Sequence, residues 1–202
     1  MKKAALILFV LMWLTGFLYA ACEVEAALYS DADEAADSLT EEDRQPLSMQ
    51  EELSLYADNR DIIYRFLTED LHLNHAVACG IVANIHYESR FNPEALGDSG
   101  TSYGICQWHS KRYTLLVNWS EEVGMDYTLL ETQLLFMKYE LEHNFSFVMK
   151  RLANIANTSR GAYTAGNYWC VYYERPKNKY TNGDKRGELA RQTYWYLLGK
   201  EQ

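Results

Sequence analysis

Glu88 is the titratable residue whose position most needs explaining. It follows Val77, Ile81 and Ile85 at helical spacing, and at about 100° per residue it falls on the same stripe as those apolar side chains. A carboxyl packed against hydrocarbon is disfavoured in its ionised form, and a proton held near neutral pH is what a general acid must supply. The alternative is a glutamate at a frayed helix end, turned into water or paired with Arg90. A second carboxylate, Asp98, stands in the turn Gly97-Asp98-Ser99-Gly100, where it either joins the chemistry or caps its own loop. Cys106 with His109 or His143 suggests a thiol peptidase, but reactive thiols sit where a helix N-terminus or a cation lowers their pKa, and Cys106 lies in an apolar run. No C-x-x-C pair occurs, and His72 and His75 have no third ligand at metal spacing. Neither a metal nor a cofactor is expected.

The elements that must hold these groups are mainly helices. Apolar positions over 58–71 predict a first helix, and Asn74 is an N-cap for a second that runs to about Arg90 and stops at Phe91-Asn92-Pro93. After the glycine-rich turn, Tyr103 to Trp108 reads as a short strand or hairpin arm. Helical patterns return at about 111–119, 129–144, 147–155, 159–173 and 187–198. The expected fold class is mostly α, an α+β arrangement with one small β-hairpin beside the site.

The chain has 202 residues, enough for one domain and an appendage. Its net charge of −9 is unevenly spread: residues 21–56 carry 11 acids against Arg44 alone, and residues 57–202 carry 17 acids against 16 bases. A near-neutral domain has no field for a phosphate backbone, so nucleic-acid binding is excluded. Lys2 and Lys3 precede an apolar run from Ala4 to Leu14 and then Ala20-Ala21-Cys22, the layout of a secretory signal, with an uncleaved membrane anchor or an acylated Cys22 as alternatives. The expected organisation is a signal or anchor over 1–22, an acidic flexible tether over 23–56 and a catalytic domain over 57–202. The protein is expected outside the cytoplasm, secreted or tethered to the membrane at a bacterial surface, and monomeric.

Three blocks in order carry a resemblance: Glu88-Ser89-Arg90-Phe91-Asn92-Pro93, then Gly104-Ile105-Cys106-Gln107-Trp108-His109, then Ala162-Tyr163-Thr164-Ala165-Gly166. Over residues 58–197 the chain resembles the phage tail tip lysozyme family, related to goose-type lysozymes and lytic transglycosylases. The resemblance implies a lysozyme-like fold, peptidoglycan glycan strands as partner, and cleavage of the β-1,4 bond between N-acetylmuramic acid and N-acetylglucosamine. It implies Glu88 as general acid and Asp98 as the base of an inverting hydrolysis. His109 replaces a second acid found in relatives, so it shares or weakens water activation. It also implies Gln107 and Tyr163 beside the acid, Tyr103 as a face for sugar stacking, and a Cys106–Cys170 disulfide. Without a competent second carboxylate, the substrate's own 6-hydroxyl attacks and the enzyme is a lytic transglycosylase forming 1,6-anhydromuramic acid. A catalytically weak peptidoglycan-binding module is the rival from another class, opposed by the presence of Glu88.

Overall fold

The computed structural model describes residues 49–201, with side chains described over 56–199. The expected signal or anchor and most of the expected tether therefore lie outside the described residues. Helix α1 (Met49–Arg65) begins inside the stretch expected to be tether and continues as a π turn over Phe66–Asp70. Gln50, Glu51, Glu52 and Leu53 are all good helix formers.

Helix α2 (His75–Ser89) runs through the core, with every side chain from Ala76 to Ile85 buried. Its start is fixed as expected, since Asn74 Oδ1 accepts from the Val77 amide at 3.0 Å. Its end is fixed by Ser89, whose hydroxyl donates to the Ile85 carbonyl and accepts from the Phe91 amide at 3.1 Å. Arg90 and Phe91 then turn through left-handed backbone, at φ of 53° and 70°, ahead of Pro93. These contacts hold Glu88 in the last helical turn instead of letting it fray.

Helix α6 (Ser159–Trp169), extended by a π turn over Cys170–Glu174, crosses α2 closely. A Cβ on Gly80 would stand 2.5 Å from the Gly166 amide nitrogen. The small residues of the Ala162–Gly166 block are thus needed for backbone approach. Helix α7 (Lys179–Leu189), followed by a π turn over Ala190–Tyr194 and a short helix α8 (Trp195–Leu197), packs against both α6 and α2.

Helix α7 starts well before the expected 187. Its first turns are polar and contain Gly183, so the sequence shows no apolar stripe there; the stripe is replaced by close packing. A Cβ on Gly187 would stand 2.7 Å from the Tyr163 ring.

The β excursion is a three-stranded antiparallel sheet, β1 (Leu96–Gly97), β2 (Ser102–Tyr103) and β3 (Trp108–His109), in that spatial order. The expected arm over 103–108 is therefore two strand ends joined by a tight turn. Gly104 takes φ 78° and the Gln107 amide donates to the Gly104 carbonyl at 3.0 Å. Gln133 buttresses this turn, accepting from the Ile105 amide and donating to the carbonyls of Pro93 and Tyr127.

Helices α3 (Lys111–Val123), α4 (Leu130–His143) and α5 (Ser146–Leu152) complete the domain. A buried carboxylate joins them to the site. Glu140 of α4 accepts from Trp108 Nε1 at 2.8 Å, from Arg112 Nε and Nη2 at 2.8 and 2.7 Å, and from the Tyr173 hydroxyl at 2.7 Å. A buried charge is tolerable when its lone pairs are filled in this way. The network fixes the neighbours of His109 and Glu174, and so both sides of the site. Among the described residues no helix is long and apolar enough to cross a membrane.

Candidate active site

Glu88, Asp98, Gln107, His109 and Glu174 line one open cleft of about 400 Å³, with Ser102, Cys106 and the segment Arg175–Lys177 completing its walls. Three groups that sequence reasoning placed at the chemistry, Glu88, Asp98 and His109, are thus brought together, along with Gln107.

Glu88 reaches the cleft from the last turn of α2, with its side chain 17% exposed. Its surroundings differ from the expected hydrocarbon. Arg186 of α7, itself buried, donates from Nη1 to Glu88 Oε1 at 2.5 Å and to Asn84 Oδ1 at 3.1 Å. Asn84 is fully buried one helical turn before Glu88 and donates to the carbonyls of Gly80 and Gly166 at 2.8 and 2.9 Å. The α2–α6 crossing therefore positions Asn84, Asn84 helps to position Arg186, and Arg186 holds the carboxyl.

Arg186 was not legible as a site residue because it falls in the polar start of α7. The signal that could have found it is Asn84, a polar residue on the otherwise apolar α2 that needs partners once buried.

Glu174 was also missed. It sits at the end of the π turn after α6, partly buried, with Oε1 accepting from Trp169 Nε1 at 2.8 Å. Burial and the nearby Glu88 push its carboxyl up to about 8, against the opposing pull of Arg112, Arg186 and the Trp169 hydrogen bond. A helix ending in a carboxylate reads in sequence as a solvated terminus. Only the buried environment makes this one unusual.

The hairpin side is more open. Asp98 and His109 side chains are 71% and 59% exposed, with Oδ2 and Nδ1 3.6 Å apart. The buried Ser102 hydroxyl lies between them, donating to Asp98 Oδ2 at 2.7 Å and standing 3.0 Å from His109 Nδ1. Asp98 and Ser99 both take left-handed backbone, at φ 48° and 58°. Such conformations cost about 1 kcal/mol or more for non-glycine residues, and here they project the carboxylate into the cleft mouth.

Several expected binders have other roles. Gln107 lines the cleft, but its Nε2 is taken by the carbonyls of Ala95 and Gly104 at 2.8 and 3.1 Å. Tyr103 is buried, stacked on Tyr113 at 5.1 Å and packed against Tyr127, so its faces are closed to a sugar. Tyr163 does not line this cleft. Its hydroxyl donates to Asp184 at 2.8 Å, and it borders a separate groove with Arg160, Thr164, Glu188 and Arg191.

The expected Cys106–Cys170 disulfide is not formed; both thiols are free and buried, as is Cys79. Cys170 Sγ faces the Lys179 carbonyl at the start of α7, 3.6 Å away. Burial pushes the Cys170 thiol up to about 11, that of Cys79 to about 12, and that of Cys106 well above its ordinary value. None is a ready nucleophile, which removes the thiol-peptidase alternative. Among the described residues no cluster of metal-ligating side chains occurs.

The arrangement offers a carboxyl braced by a guanidinium at the cleft floor and an exposed carboxylate and imidazole at its mouth. Such a pair can protonate a leaving oxygen and activate a water. Morphogenesis protein 1 of Bacillus phage B103 is 28% identical over 132 residues, which cover 60% of this chain and 34% of that protein. The chain thus matches about a third of this relative's length. A family model for phage tail lysozyme matches residues 58–197, nearly the whole described domain, and the chain belongs to that family.

Proposed function

We propose that the protein is a muramidase that cuts the β-1,4 bond between N-acetylmuramic acid and N-acetylglucosamine in peptidoglycan. Family membership supports peptidoglycan lysis of glycosidase type. The observation that carries the finer reading is the cleft that Glu88 and Asp98 share, with a different environment for each carboxyl. Glu88, oriented through Asn84 and Arg186, protonates the glycosidic oxygen as the sugar flattens toward an oxocarbenium ion. Asp98, open to solvent and held by Ser102 beside His109, takes a proton from the attacking water on the other side of the ring. Two carboxyls in unlike surroundings can then take opposite roles. The substrate lies outside the cytoplasmic membrane, in keeping with the export-like run at the N-terminus.

Mass spectrometry of muropeptides from digested peptidoglycan tests this reading. We expect reducing-end muramic acid. Products ending in 1,6-anhydromuramic acid, lighter by one water, would instead make the protein a lytic transglycosylase and remove the need for Asp98 as base.

A further inference from the structure

Glu88 and Glu174 line the same cleft, where Arg186 pairs directly with Glu88 while its positive charge also acts on Glu174. Arg112 is engaged elsewhere, since it spends Nε and Nη2 on Glu140 and Nη1 on the Tyr173 carbonyl. Among the described residues Glu88 thus has an ion-pair partner within 4.0 Å and Glu174 has none, and in a partly buried site the excess negative charge is relieved most directly by a proton. Trp169 holds Glu174 Oε1, leaving Oε2 without a protein partner among the described residues.

We propose that Glu174 is a positioning residue for the reaction, sharing one proton with Glu88 beside Arg186, so that the pair as a whole holds the proton the reaction draws on. This rests on the reading of Glu88 as general acid. When Glu88 gives its proton to the glycosidic oxygen and the C–O bond breaks, the pair is left fully ionised beside Arg186. Solvent then returns one proton to it, while Asp98 releases the proton taken from water. The upward push on Glu174 agrees with this charge count.

The remaining groups around Glu174 do not change the count. Cys106, Cys170 and Tyr173 are neutral, because burial raises each of them. Glu140 is neutralised by Arg112. Arg175 lies over the Phe145 ring, while Asp98, His109 and Lys177 stand at the exposed mouth, where water screens them.

The test is the pH profile of kcat/KM for peptidoglycan clearance with Glu174→Gln, which keeps an oxygen to accept from Trp169 but cannot carry the charge. With one carboxylate gone, Arg186 belongs to Glu88 alone and the proton leaves at lower pH. The alkaline limb should therefore move acidward by about one pH unit or more, while activity near pH 5 stays within a few-fold and the Tm holds. Glu174→Asp, which restores the charge, should return the limb toward wild type. An unmoved limb, or an equal loss at every pH, would make Glu174 merely structural and overturn the proposal.

Carboxyl-carbon NMR of the whole protein gives a readout independent of turnover. A glutamate titrating above pH 6 should be lost in both Glu174→Gln and Glu88→Gln, and its absence from the wild type overturns the proposal even if Glu174→Gln fails to fold. An active wild type with an unmoved limb sinks the shared proton alone. A folded wild type that releases no muropeptides sinks the muramidase reading, whatever the NMR shows.

Discussion

The two sides of the cleft are built on opposite principles. On the helical side, Glu88 is tied to Arg186, Arg186 to the buried Asn84, and Asn84 to the backbone of α2 and α6. On the hairpin side, Asp98 in the turn after β1 and His109 at the end of the two-residue strand β3 stand mostly in water, steadied by one serine. A proton donor needs a fixed direction and a controlled charge, which packing supplies. A water-activating base needs access to solvent, which packing would remove. The difference between the two sides follows the difference in task.

That contrast can be sharpened by removing one support from each side. Arg186→Met should have the larger effect. Removing one partner of a fully buried ion pair costs about 3–5 kcal/mol; Glu88 opens to the cleft, so we expect roughly half that loss in chemical denaturation. Clearing of peptidoglycan should also fall by about 100-fold as the acid loses its direction. A variant with wild-type stability and rate would show that the helical side is not braced as described.

Asp98→Asn should separate activity from stability. The base is lost, at a cost of about 100-fold, but an exposed side chain on a turn leaves the melting temperature within about a degree of wild type. Full activity in this variant would leave the hairpin without a catalytic role and favour attack by the substrate's own hydroxyl.

How much of this was legible in the sequence differs between the same two regions. The α2 helix, its Asn74 cap and its stop before Pro93 follow from local rules, and the structure has each of them; Glu88 was expected on the apolar stripe, but in the structure it is partly exposed and meets Arg186. The Glu88 partner was hidden because Arg186 lies 98 positions away, in a glycine-containing polar stretch with no helical stripe. Tyr103 was misread for a related reason: an aromatic in a glycine-rich hairpin offers a flat face in sequence, and only tertiary packing on Tyr113 and Tyr127 reveals that the face is taken. The hairpin strands were blurred into one arm because two-residue strands are too short for an alternating pattern.

The central claim is that one proton, held at Glu88, starts the cleavage. The most direct measurement is the initial rate of peptidoglycan turbidity loss for Glu88→Gln against wild type, with matched circular dichroism and melting curves. The substitution keeps the shape of the side chain and its acceptor for Arg186 but removes the proton, so the rate should fall by about three orders of magnitude or more. A folded Glu88→Gln protein that clears peptidoglycan at the wild-type rate would contradict the account.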